Sequence, residues 1–455
     1  MKSGSGSFRG KSFVLLSLLV LSFPDRGLGQ NQDPSRYGML RQQQMMTGGI
    51  GLTSIDGNPY YLIFLRPDLT FGKIGLGLEL NLRVGEDGKL RKEDWDETYD
   101  YFRVIRYLRY GLKRDPLYAR AGALDYARLG HGSVVYLYRN SPSYDTRRIG
   151  LELDADFGDF GFESIYSDFG AEPLIGLRSY VRPLQLTEAA AIPILGKMEV
   201  GATYAADLHP NADISNSVDA LGRTVQRNNG TLSIIGIDIG FPLLSLDILS
   251  STLYADYAKI LEYGSGVALG IDLNFSGLGA VTLAAKYERR FNGDQYLPSY
   301  FDAFYEKDRF VSHNDPAANT MLQSKANTLR GMTSSEGYYG ELWVSVLGTL
   351  NIVGGYYSPV GVRDAGVLHL ELETGNALPG MYLSGGYDKK NVGSVFKVDN
   401  NSILHGQVGY FPYPFVLVSM LYEWTFVEDK DEFGIVRGYK TRKRVEPRVG
   451  FVFYF

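Results

Sequence analysis

His131, Gly132 and Ser133 form the one place in this sequence where a base and a nucleophile stand at a useful spacing. Two residues apart on an extended chain, imidazole and hydroxyl project from the same face, and the imidazole can take the hydroxyl proton for attack on an acyl ester. The flanking residues argue against it. Leu129-Gly130 precede the pair and Val134-Val135 follow it, so a turn fits as well as a strand, and no neighbouring residue is marked to orient the base. The other histidines, His209, His313, His369 and His405, are scattered, and the chain has no cysteine. Thiolate chemistry, thiolate metal sites and disulfides are therefore excluded. No HExxH, Walker or dinucleotide-binding glycine pattern occurs, and the acidic cluster Glu428, Asp429, Asp431 and Glu432 lacks calcium-loop spacing. Neither catalysis nor a bound metal or cofactor is expected.

A different chemistry is carried by charges that recur at every second position. Acidic candidates are Glu79, Glu152, Asp154, Asp156, Glu199, Asp207, Asp238, Asp272, Glu371 and Glu373. Basic ones are Arg83, Arg178, Arg182, Lys286 and Arg290, with Tyr180 between Arg178 and Arg182 on the same face. Charges gathered on one wall of a water-filled passage set its ion preference, and the acidic excess favours cations or neutral solutes. The plainer reading is that they solvate an inner surface and pair with one another.

The segments bearing these charges are strands with two unlike faces. Ile74, Leu76, Leu78, Leu80 and Leu82 alternate with Gly75, Gly77, Glu79, Asn81 and Arg83; Val267, Leu269, Ile271, Leu273 and Phe275 alternate with Ala268, Gly270, Asp272, Asn274 and Ser276. The same pattern governs residues 149–157, 198–207 and 281–290, and near the end Val416, Val418, Met420, Tyr422, Trp424 and Phe426 share a face. Many such segments run to about 9–12 residues, the length a tilted strand needs to cross a bilayer. A soluble sandwich also alternates, but its strands average about 5–6 residues, and hiding so many long apolar faces would demand a very large core. Lipid hides them, provided the sheet closes.

Short turns are expected at Gly158-Asp159, Gly277-Leu278-Gly279 and Gly348-Thr349, and longer polar connections at 84–98, 208–230, 292–335 and 428–443. Residues 95–113 break the strand rule, because Arg106 would share a face with Phe102, Val104, Leu108 and Tyr110. Tyr101, Val104, Ile105, Leu108 and Leu112 instead fit one face of an amphipathic helix opposite Arg103, Arg106, Lys113 and Arg114, with Asp94 and Glu97 placed to cap it. That helix would lie on the rim or constrict the lumen through Arg103 and Arg106.

At the N-terminus, Lys2, Arg9 and Lys11 precede the apolar run Ser12 to Phe23, and Gly27 and Gly29 follow. This is the layout of a cleaved signal peptide over 1–29. A short segment over 30–47 and a single domain over 48–455 would follow. The sequence ends with Val449, Phe451, Phe453 and Phe455 on one face and Arg448 and Gly450 on the other. Here the chain resembles Gram-negative outer-membrane β-barrel proteins, whose last strand commonly ends in an aromatic residue. The resemblance implies that Phe451, Phe453 and Phe455 belong to the signal read by the barrel-assembly machinery, and that the last strand zips against the first. The expected fold is all-β, a transmembrane antiparallel up-and-down barrel of about 18 strands, range 16–20, with an even number if both ends face the periplasm. The expected function is a porin-like channel for small hydrophilic solutes, in contact with outer-membrane lipid and lipopolysaccharide. A non-conducting barrel in a secretion, adhesion or motility assembly is the alternative, and a lipid hydrolase using His131 and Ser133 is the distant one. A net charge of -5 and the absence of a basic tract exclude a nucleic-acid partner.

Overall fold

The computed structural model describes residues 45–454, apart from positions 56, 97, 114, 142–146, 171–172, 193, 211–229, 247, 316–317, 376 and 431–435. The expected signal segment 1–29, nearly all of 30–47, and Phe455 lie outside the described residues.

Long alternating segments fold as predicted, into one continuous antiparallel sheet. Its strands are β1 (Met45–Ile55), β2 (Asn58–Phe71), β3 (in two halves, Ile74–Leu78 and Leu80–Val84), β4 (Ile105–Tyr110) and β5 (Leu117–Gly122). There follow β6 (Gly150–Asp156), β7 (Phe160–Tyr166), β8 (Leu174–Val181), β9 (Glu199–Asp207) and β10 (Leu232–Ser245). The next are β11 (Leu249–Ile260), β12 (Ser265–Leu278), β13 (Val281–Asn292), β14 (Ser335–Val346) and β15 (Leu350–Pro359). The last are β16 (Val367–Glu373), β17 (Met381–Lys390), β18 (Ser402–Tyr413), β19 (Val416–Lys430) and β20 (Val436–Tyr454). The sheet holds 21 segments; two are consecutive halves of β3, which leaves 20 barrel strands among the described residues, while Phe310–Asp315 and Ala318–Ser324 pair as a separate two-stranded sheet. Each strand pairs with the next, and β20 returns to β1 from Met45↔Tyr454 to Gly51↔Arg448. The barrel is closed. Around the ring each strand finds its neighbour on either side, the condition for crossing lipid.

The two faces separate as the alternation requires. In β10, Ile235 and Ile237 face outward while Gly236, Asp238 and Gly240 face inward. Leu253 and Tyr257 on β11, Val267 and Leu269 on β12, and Tyr287 on β13 continue the outward apolar surface. This is the architecture of transmembrane β-barrel proteins, with an apolar outside and a polar inside.

Turns on the rim where β1 begins and β20 ends are mostly short, as at 157–159, 279–280 and 347–349; the stretch 182–198, with three short 3-10 turns, is the exception. From the opposite rim depart the long connections 85–104, 123–149, 208–231 and 293–334. Two expectations need correction here. Residues 428–430 and 436–443 are strand, because β19 and β20 stay paired as far as Lys430↔Val436. Residues 95–113 do not form one amphipathic helix: a short helix (Thr98–Phe102) is followed by strand β4. A β-bulge resolves the Arg106 conflict. Leu78 pairs with Ile105 but Gly77 with Tyr107, so Arg106 is an extra residue and the faces reset around it. Ile105 and Leu108 then look outward and Tyr107 inward, while the Arg106 guanidinium reaches Asp68 of β2.

Candidate functional site

The barrel interior gathers the charges that the alternation selected. Glu79, Arg83, Glu152, Asp154, Arg178, Asp272, Lys286, Arg290 and Glu371 are all buried on the inner face, and Asp156, Tyr180, Arg182 and Glu373 are half-buried. Most are knit into mixed-charge networks. Arg178 donates to Asp238 (2.9 Å), Glu199 (2.8 Å) and Glu163 (3.4 Å), and Tyr180 lies between the guanidiniums of Arg178 and Arg182. Arg182 in turn holds Asp156 (2.8 Å) and Glu199 (3.0 Å). Glu288, absent from the expected set, is gripped by Lys286 (2.9 Å) and Arg290 (2.6 Å). Lys113, on the turn below, reaches Glu152 (3.3 Å) and Asp154 (3.0 Å). Burial disfavours its ammonium, yet the two carboxylates outweigh that and raise Lys113 above the ordinary lysine range.

The inner face meets an inserted segment rather than open water. At Gly122 (φ +126°) the chain leaves the wall; residues 123–141 run inside, and 147–149 lead into β6. A side chain at Gly122 would press into the Tyr107 backbone, so glycine serves both the turn and the close approach. Polar groups of the segment reach strands far apart around the barrel. The Tyr126 hydroxyl donates to Glu371 on β16 (2.6 Å) and the Tyr136 hydroxyl to Glu341 on β14 (2.6 Å). Arg139 pairs with Asp388 on β17 (3.3 Å), Arg147 with Glu79 on β3, and the Gly130 amide donates to Glu163 on β7 (2.7 Å).

Apolar side chains of the segment pack as well. Leu124, Leu129, Val134, Val135 and Tyr138 join inward residues Ile165, Leu174, Leu232, Ile234 and Ile260 in a small core inside the barrel. The connection 293–334 seals this core with Tyr300, Phe301, Tyr305 and Leu329. It runs beside the first segment, with the Ser299 amide on the Ser133 carbonyl (2.9 Å) and the Tyr136 amide on the Phe301 carbonyl (3.1 Å). The inner wall is thus apolar toward the long-loop rim and charged below.

The amphipathic helix expected to carry Arg103 and Arg106 is not formed. Arg103 bonds Asp100 in the short helix (2.5 Å), and its carbonyl accepts from Arg147 (3.0 Å). Arg106 is held on the wall by Asp68. Residues 123–149 went unrecognised because, apart from its glycines and the short apolar run Val134–Tyr138, the segment has no period. On the last strand, Phe451 and Phe453 face outward beside Val449, with Arg448 and Gly450 inward.

His131 and Ser133 of the inserted segment meet the wall at β11 and β13. The Ser133 hydroxyl donates to Asp256 (2.6 Å) rather than to the imidazole, which stacks on Tyr254 with centroids 3.9 Å apart and planes 2° from parallel. The base–nucleophile couple is not assembled.

No protein-family model matches this chain, and no curated protein does. Among solved structures it is similar to OccAB3 of Acinetobacter baumannii, with a TM-score of 0.30, 10% identity, and coverage of 90% of this chain and 98% of that one. OpdL of Pseudomonas aeruginosa matches with a TM-score of 0.32, 11% identity, and coverage of 90% and 97%. The ferric enterobactin receptor PfeA of Pseudomonas aeruginosa, in a mutant form, matches with a TM-score of 0.33, 10% identity, and coverage of 90% and 80%.

Proposed function

We propose that this chain is an outer-membrane channel of porin-like type, passing small hydrophilic solutes along a lumen narrowed by the segment 123–149. The observation that carries this reading is a charged inner wall, enclosed by a closed sheet and bridged from within by Tyr126, Tyr136 and Arg147. Short turns and both chain ends would face the periplasm, with the long connections outside. Lipid and lipopolysaccharide would meet the outward apolar belt, and the assembly machinery would engage the strand bearing Phe451 and Phe453. The charged residues around the inserted segment would then select solutes by charge, with the segment setting the size limit.

Single-channel recording of the purified, folded protein in planar bilayers tests the proposal. The intact chain should show small, discrete conductance steps. Replacing residues 124–146 with a short Gly-Ser linker should raise them several-fold. Silence from both proteins would sink it.

A second reading, a non-conducting barrel used as an anchor or assembly component, is favoured by one observation. Arg83, Arg178 and Glu446 are almost wholly shut off from solvent although all three face inward, as in a densely filled interior. Conductance seen only after removal of the segment would select this reading.

A further inference from the structure

The inserted segment brings together three groups that sequence spacing keeps far apart. One potential ligand atom from each of His131, Asp238 and Asp256 lies within 4.8 Å of the others. We infer that His131, Asp238 and Asp256 bind one divalent metal ion of the zinc class, fastening the tip of the segment to strands β10 and β11.

Several independent features of the site support a ligand there. Asp256 is 5% exposed, and its Oδ2 accepts only from Ser133. Its other oxygen, Oδ1, is buried and has no hydrogen-bond donor among the described residues. No lysine or arginine pairs with Asp256 among the described residues either, an unfavourable state for a buried carboxylate unless a cation or proton joins it. Nearby positive charge is committed elsewhere. Arg178 forks onto Asp238, and Lys286 donates to the His131 carbonyl and pairs with Glu288. Each Asp238 oxygen keeps a second lone pair, so the Arg178 contact orients this carboxylate without using it up.

The wall is also cut back around the imidazole. A side chain at Gly240 would begin 3.4 Å from His131 Nε2, and one at Gly201 would run into Asp238 and Arg178. Stacking on Tyr254 fixes the ring plane in which the nitrogen lone pairs lie, and Asp272 Oδ2 stands 4.0 Å from Nδ1 as a further oxygen neighbour. One imidazole nitrogen with carboxylate oxygens suits zinc, cobalt, manganese or ferrous iron rather than calcium. Ligand atoms around tetrahedral zinc stand about 3.3 Å apart, so bringing the three groups together by up to about 1.5 Å forms the site. The sequence shows no metal motif because the ligands come from an irregular segment and two different strands.

Equilibrium dialysis of the full-length folded barrel in detergent against Zn2+ alone tests the inference without requiring conductance. It is therefore decided separately from the channel proposal. Wild type should bind one Zn2+ per chain at micromolar concentration. His131→Ala and the isosteric Asp256→Asn should each lose at least tenfold in affinity. Zn2+ should also slow proteolysis of the 123–149 segment in wild type and leave both variants unaffected. The absence of stoichiometric binding by wild type, or equal binding by wild type and both variants, would overturn it.

Discussion

Arg309 grips Asp207 with two guanidinium nitrogens, Nε at 2.8 Å from Oδ2 and Nη2 on Oδ1, and both side chains are shut off from solvent. The pair ties the 293–334 connection to β9 beside the inner apolar core. Losing the Asp207 charge leaves the buried Arg309 guanidinium less well compensated, with Glu306 still 3.8 Å away, at a cost of about 3 kcal/mol. Asp207→Asn should therefore expose the connection to trypsin while the barrel keeps its compact migration on unheated gels. Unchanged trypsin resistance would contradict the role given to this pair.

Ile237 is 61% exposed near the middle of β10, on the face assigned to lipid. An arginine there should destabilise the barrel by about 2–4 kcal/mol, the range for a cation at the bilayer midplane. Urea unfolding from lipid vesicles measures this. A stability equal to wild type would mean that this face does not meet hydrocarbon.

Lys325 supplies a pH dependence. Burial of its ammonium, next to Asp302 and the Tyr300 carbonyl, pushes it down to about 8 from an ordinary value of 10.5. Below pH 8 the lysine is charged in both the folded and unfolded chain, and the full burial penalty applies. Between pH 8 and 10.5 the folded form alone has lost its proton, so the penalty fades and stability rises. Protease resistance of the 293–334 connection should increase across that window, and Lys325→Met should remove the increase. A flat wild-type profile would refute the assignment.

Glu371 lies on the inner wall and accepts from Tyr126. Glu371→Gln keeps an acceptor for the tyrosine but deletes one negative charge from the proposed path. Under a potassium chloride gradient the reversal potential should move toward anions. No movement would place Glu371 off the conduction path.

How far the sequence could be read follows from which contacts were local. The outward faces of β10 to β13 were legible because lipid imposes the same demand on every strand, so period two persists over whole segments. Even the closing strand was readable through Val449, Phe451 and Phe453. The β4 region misled for a specific reason. One bulged residue, Arg106, shifts the phase of the alternation, and a shifted strand imitates a helical repeat over a few turns. The segment 123–149 was opaque because its partners, from Glu79 to Asp388, are spread around the barrel, and nothing local fixes its path. The same distance hides the His131, Asp238 and Asp256 constellation. The expected strand number of about 18, range 16–20, falls near the observed 20, since short turns such as 279–280 announce themselves while β19 and β20 conceal a hairpin inside polar sequence.

The seam between β1 and β20 is built with little side-chain substance, with Gly49 facing Gly450 and Gly51 facing Arg448. Added side chains at Gly49 or Gly450 would strike the opposing backbone. Matching at this junction therefore falls mainly to amide and carbonyl groups, with Ile50 against Val449 as one of few apolar checks on alignment. A side chain at either glycine would hold the two strands apart, so Gly49 and Gly450 set how tightly the ring can shut.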